Sequence, residues 1–440
     1  MDLNTLTVRA YNVRFGDAFL ISFPDKRSAD DPPAMGTEDS EKIMRHILID
    51  VGNALSTAGG TDEVFEPIVK DIINVLNGRP VDLYIMTHEH MDHIQGLLAA
   101  KKKHNLAITA NCSWLTASAE EGYYNSANWA GEDVPKKALL PPQQRVLMEA
   151  AYDDLSDYVS GLQASGESIS PLLMAMLNIN NYRSSKDCVD YLRTLAGAEK
   201  THYIHRESPD LDSKHPFQDA KVEVWAPERN TAVYYGRLRP RTFGFIEEAG
   251  ENGTVRKPTM PKPPPGVDAS AFYKLVNARK HNLVENLLAI DKAKNNSSIV
   301  FYLEWEGWRF LFPGDAEVKS WRIMEEKGVL KPVHFLKISH HLSHNGTPED
   351  EILEQILPSN SQDNRHRLAV ASTYPFTYSG IPFEDIVARL DGRGIETHII
   401  AKALDDFPVT EDTPVTYQPG YIDFIYNMDG SDPEVVIQSI

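Results

Sequence analysis

Short apolar runs separated by polar punctuation dominate the hydrophobic pattern of this chain. Leu6–Val13 alternates and is rich in β-formers, which predicts a strand. Phe15-Gly16-Asp17-Ala18 then turns into a second strand, Phe19–Phe23. Asp25–Lys42 is polar with prolines and reads as a surface loop. His46–Asp50 predicts a third strand. Phe65–Leu76 carries Ile68, Ile72, Ile73 and Leu76 at helical spacing, with Asn77-Gly78 as its stop signal. Val81–Met86 and Leu106–Ala110 read as further strands. From Trp114 to about Ala198 the character changes: Val146–Leu162, Pro171–Leu177 and Asp187–Leu195 have helical patterns, so 114–200 is read as a helical insertion or lid. Val222–Ala226 returns to strand.

Residues 228–290 form a second insertion, rich in proline and in cations (Arg237, Arg239, Arg241, Arg256, Lys257, Lys262). It runs through Pro261–Gly266 and is expected to be extended, as a solvated loop or as a basic arm toward an anionic substrate. Ser298–Trp305 and Trp308–Phe312 flank Glu306-Gly307, a hairpin signal. Val333–Ser339, Leu368–Ser372 and Gly420–Tyr426 complete the expected strands, and Glu384–Leu390 is a helix ending at Asp391-Gly392. No internal repeat interrupts the pattern, and 1–440 is taken as one elaborated domain.

One loop concentrates the chemistry. The strand Val81–Met86 runs into Thr87-His88-Glu89-His90-Met91-Asp92-His93, and a helix-compatible segment follows. Neutral imidazole and carboxylate suit zinc, iron or manganese. Three further groups sit at apolar strand ends: Asp50, Asp315 after Phe310-Leu311-Phe312, and His340-His341 after Lys337. Carboxylates and imidazoles at the ends of several strands can converge in one crevice, and a buried Asp is costly unless paired or metal-bound.

Composition narrows the class. The chain has 440 residues, 42% hydrophobic and 24% charged, an ordinary globular balance. No apolar run approaches the roughly 20 residues needed to cross a bilayer, the N-terminus lacks the features of a signal peptide, and Cys112 and Cys188 have no C-x-x-C partner. These features set the expectation of a cytoplasmic protein without membrane contact. The formal net charge of -19 opposes nonspecific coating of nucleic acid. It leaves a nuclease open, because a metal site brings its own positive charge.

Together, Asp50-x-Gly52, His88-x-His90-x-Asp92-His93, Asp315 and a late His resemble the metallo-β-lactamase superfamily. Within it the chain is most similar to the catalytic domain of ComEC-type competence proteins. The shared motifs are Val13–Ala18, Asn295-Asn296-Ser297-Ser298, Pro313-Gly314-Asp315-Ala316-Glu317 and Leu336–Ser343, over roughly residues 6–110 and 220–430. The resemblance implies an αββα sandwich of two mixed sheets. It implies two divalent metal ions, zinc or else manganese or iron. His88 and His90 would hold one, Asp92, His93 and His340 or His341 the other, and Asp315 would bridge them. Asp92 and Asp315 would serve catalysis, Asp50 and Asp17 would orient ligands, and Asn295, Lys337 and Ser343 would contact an anionic substrate. The chain departs from the family where a third His motif should follow Ile108, since Asn111-Cys112-Ser113-Trp114 stands there. His202 and His205 could substitute, although the reading of plain loop histidines is preferred for both. The competence proteins also carry a membrane channel that this sequence lacks, so DNA uptake is not implied.

Three functions are compatible with this reading. The leading one is a phosphodiesterase or nuclease acting on an anionic phosphodiester, nucleic acid or nucleotide. The second is a hydrolase of a small ester, lactone, thioester or phosphocholine-type substrate. The third is a non-catalytic, metal-stabilised module that binds a protein partner through 114–200. Retention of both Asp92 and Asp315 argues against the third, because a structural zinc needs no open site.

Overall fold

Alternation along the strands divides their side chains between two faces, and the chain builds two mixed sheets from them. The computed structural model describes residues 2–29, 31, 41–53, 62–129, 140–165, 168–169, 171–235, 288–361, 363–375, 381–410 and 415–440. The first sheet contains β1 (Thr5–Tyr11), β2 (Phe19–Lys26), β3 (Lys42–Ile49), β4 (Leu83–Met86), β5 (Ser113–Thr116), β6 (Thr201–Ile204), β13 (Gly420–Asn427) and β14 (Glu434–Ser439). Their spatial order is β14-β13-β1-β2-β3-β4-β5-β6. Pairing is antiparallel from β14 to β3 and parallel from β3 to β6.

The second sheet contains β7 (Lys221–Ala226), β8 (Val300–Trp305), β9 (Trp308–Phe312), β10 (Phe335–Lys337), β11 (Leu368–Ala371) and β12 (Glu396–Ile399). Its order is β12-β11-β10-β9-β8-β7, parallel from β12 to β9 and antiparallel beyond.

Ile47, Ile49, Leu83 and Ile85 share one core with Phe301, Leu303, Phe310 and Phe312, so the sheets pack face to face. Leu48, Tyr84 and Met86 point the other way and meet α1 (Phe65–Leu76), α2 (Met91–His104) and α5 (Tyr182–Leu192). Val300, Tyr302 and Leu311 do the same on the far sheet, against α6 (Val318–Glu326), α7 (Asp350–Ile356) and α8 (Glu384–Asp391). A slip of one residue would exchange these faces. Each large apolar side chain is worth about 1.5–3 kcal/mol when buried, so the register is strongly held.

The expected helix Phe65–Leu76 forms as α1 and stops at Asn77, whose φ of 49° is left-handed. The hairpin forms with Glu306 and Gly307 at φ 48° and 79°. The strand expected at Leu106–Ala110 does not form. Only Ala110 makes a bridge, to Val81, and the strand is β5. Leu106 and Ile108 pack on the outer core instead, while Trp114 enters the core between the sheets. The insertion therefore begins after Thr116. It contains α3 (Pro141–Ser165), α4 (Pro171–Ile179) and α5. The cations Arg237 to Lys262 lie outside the described residues. No described helix is long and apolar enough to cross a membrane.

Candidate metal centre

The carboxyl ends of β3, β4, β9 and β10 face one edge, where three backbone segments interlock. Asp50 N–H donates to Ile85 O at 2.9 Å and Val51 N–H to His93 O at 2.9 Å. Asp17 N–H donates to Asp92 O at 3.1 Å, and Gly52 N–H to Asp17 O at 2.9 Å. This proximity demands glycine at position 52: a Cβ there would stand 2.3 Å from Asp92 C and His93 N. The Asp-x-Gly and H-x-H-x-D-H motifs are thus two sides of one backbone contact. His90 is the extended residue before α2 (φ -80°, ψ 147°), so Asp92 and His93 ride on the first turn of that helix.

Four buried side chains converge: Asp92, His93, Asp315 and His341 each offer one nitrogen or oxygen, all within 4.8 Å of one another. His93 Nε2 and His341 Nε2 each lie 3.1 Å from Asp315 Oδ2, and His341 Nε2 lies 3.2 Å from Asp92 Oδ2. Yet neither Nε2 makes a hydrogen bond, and neither does Asp92 Oδ1, although all three are buried. Imidazole nitrogens and carboxylate oxygens gathered this closely in a buried cluster could hold a cation. The opposite ring nitrogens are anchored. His93 Nδ1 lies 2.9 Å from Asp50 Oδ2, and His341 Nδ1 2.8 Å from Ser372 O. Thr87 holds Asp50 in turn, through its N–H at 2.9 Å and its hydroxyl at 2.5 Å. Such carboxylate or carbonyl anchors fix the tautomer of a ligating imidazole. Phe15 closes over His341, with ring centroids 4.2 Å apart.

His88 and His90 form a second pair beside this cluster, with His88 Nε2 3.0 Å from His90 Nδ1. The far nitrogen of His90, Nε2, is buried without a hydrogen bond and faces Asp291 Oδ1 at 3.6 Å. Asn180 donates to the same Asp291 oxygen at 2.7 Å.

The electrostatics separate the two pairs. Burial pulls His90 down to about 3, with Lys294 assisting. Burial and the neighbouring imidazoles likewise depress His88. Both are therefore neutral at pH 7, the form in which imidazole ligates. Burial also pulls His341 down, but Asp315 and Asp92 outweigh it and lift the ring to about 9. His93 is held well above the imidazole range by the same two carboxylates, against burial. Burial opposes ionisation of Asp315, but His341, His93 and Lys337 hold it far below the carboxylate range. In this cluster protons balance the carboxylates where a cation would, and a cation binding there displaces them.

Of the residues singled out in the sequence, Asp17, Asp50, His88, His90, Asp92, His93, Asp315 and His341 all lie buried at this edge. His340 turns away, with Nδ1 3.4 Å from Glu317 Oε1 and 3.0 Å from Ser343 Oγ. Asn295 donates to Glu317 at 3.0 Å and lies 3.2 Å from His340 Nε2, so Asn295 and Ser343 serve this side network. Lys337 departs from the substrate-contact role expected of it. Its ammonium reaches Asp17 at 2.5 Å, Gly314 O at 2.8 Å and Asp315 at 3.2 Å, which uses all three N–H groups. His202 lies on β6 and His205 just beyond, and neither joins a converging ligand group among the described residues. Asp291 was missed: it belongs to no motif, and its position, four residues before Asn295, was the only available signal.

No protein-family profile matches this chain, and no curated protein matches it either.

Proposed function

We propose that this protein is a metal-dependent hydrolase of phosphodiester bonds, built on a metallo-β-lactamase-like sandwich. The observation that carries the reading is the convergence of Asp92, His93, Asp315 and His341 from both sheets, with buried donor atoms that make no hydrogen bond. His88 Nε2 and His90 Nδ1 would hold one cation. Asp92, His93 and His341 would hold the other, with Asp315 between them. A pair of divalent cations there would supply a nucleophile at neutral pH and neutralise charge in an in-line displacement.

The chain's own contribution is orientation and charge control. Asp50 and the Ser372 carbonyl fix two ring directions. Lys337 keeps Asp315 aimed into the cluster. Were Asp92 to bind the cation through Oδ2, which faces His341, its Oδ1 would be left to accept a proton from an attacking water. Burial of every group around it removes competing solvent.

The test is metal content together with hydrolysis of bis-p-nitrophenyl phosphate. The wild type should hold about two cations per chain and turn the diester over, and Asp315→Ala should lose at least about a hundredfold in rate. Absence of turnover with zinc, manganese or iron supplied would remove the proposal.

A further inference from the structure

A cavity of about 700 Å³ lies between the motif loop and the helical insertion. Glu89 of the motif, Tyr124, Arg145 of α3, Ser185 of α5 and Lys294 are among its lining. A narrower recess shares Glu89, Tyr124 and Lys294 with it and adds Tyr235. Pockets of about 300–1,000 Å³ are the usual size for small-molecule ligands.

Lys294, in the helical segment 288–296, is only 7% exposed. Its ammonium makes no hydrogen bond or ion pair among the described residues. The side chain lines the cavity, so this ammonium is available to an anion that the cavity receives. Burial lowers the pKa of Lys294, while Glu89 and Asp291 favour its charge through space, though both carboxylates are engaged elsewhere. Ser118 donates to Glu89 at 3.0 Å, and Asp291 accepts from Asn180 and faces His90. The other cations of the lining are paired: Arg145 with Glu149 at 2.8 Å, Arg193 and Lys186 with Asp190 at 2.6 and 2.5 Å, and Arg183 with Asp153 at 2.8 Å. Lys294 is thus the cation of this lining left for a ligand. Its charge also reaches the centre, since it depresses His90. The mouth carries the exposed acids Glu120, Glu121 and Asp187, which repel a polyanionic strand.

We propose that Lys294 is the anion anchor of a small-substrate pocket serving the neighbouring centre. The cavity takes a nucleotide-sized phosphodiester, and Lys294, with the Tyr124 and Tyr235 hydroxyls, holds a phosphate oxygen. The identity of the anion rests on the phosphodiesterase reading; the anchor itself does not.

The experiment titrates the chelator-treated 440-residue chain with inorganic phosphate and with thymidine 5′-phosphate, followed by calorimetry. The wild type should bind both, and Lys294→Met should weaken both at least about tenfold, with metal stoichiometry unchanged and the melting temperature not lowered. Lys294→Arg should retain binding. Tyr235→Phe should weaken it several-fold, an independent check should Lys294→Met not fold. Equal binding by wild type and Lys294→Met, or none by the wild type at millimolar phosphate, overturns the anchor. Oligothymidylate binding more tightly than the mononucleotide overturns the small-substrate assignment. Lys294-dependent phosphate binding in a protein that hydrolyses no diester would leave the anchor standing and remove only the reaction.

Discussion

His46 on β3 lies between Ser22 Oγ, 2.9 Å from Nδ1, and the Arg79 guanidinium, 3.0 Å from Nε2. Arginine can only donate, so Nε2 accepts and the neutral ring carries its proton on Nδ1. Burial and then Arg79 push this imidazole down to about 3. The unfolded chain takes up that proton near pH 6.5, whereas the folded one refuses it until about pH 3. Its contribution is therefore complete above pH 6.5 and is lost as pH falls, at up to about 1.4 kcal/mol per pH unit. Urea unfolding from pH 7 to 5 should show a shallower decline for His46→Gln than for wild type; parallel declines would contradict the assignment. At this scale the sequence distinguished residue types better than neighbours. His340 and His341 are adjacent, and only the turn separates their roles. Both are left-handed (φ 48° and 54°), which sends one ring to Glu317 and the other to Asp315. Asp291 carried no pattern because its partner, His90, is remote in sequence.

The elements form the site by close backbone approach, and Gly52 is where this is tightest. Alanine there would drive Cβ into the first turn of α2, which carries Asp92 and His93. Gly52→Ala should weaken metal binding by at least about tenfold and destabilise the fold by roughly 1–3 kcal/mol, as overpacking does. Equilibrium dialysis and denaturant unfolding read both effects, and wild-type affinity in the variant would refute this role for the contact. Elements with a strong period or a special turn were legible: α1, the β8–β9 hairpin and the strands leading into the ligand loops. β5 was not. Two of its four residues, Ser113 and Thr116, are polar yet fully buried. Thr116 donates to Ser297 O at 2.7 Å and the Trp114 indole to Lys214 O at 2.7 Å. Those satisfactions come from distant segments, so local alternation pointed to Leu106–Ala110 instead.

Across the whole molecule, Asp92 and His93 follow a strand of the first sheet, and Asp315 and His341 follow strands of the second. A cation held by all four ties the sheets together, and ligand binding to the native state alone raises stability by about 2.7 kcal/mol at a hundredfold excess over Kd. Chelation should lower the melting temperature of the wild type by several degrees, whereas Asp315→Ala should melt at the same temperature with or without chelator. A wild-type melt indifferent to chelator would argue against a shared cation.

The split ligand set also fixes an order of events during synthesis. The conspicuous motif leaves the ribosome well before His341. A nascent chain can therefore display most of the ligands and still be unable to complete the set. Capture of an ion by this set would then be a signature of finished folding, acquired only after the second sheet has closed on the first.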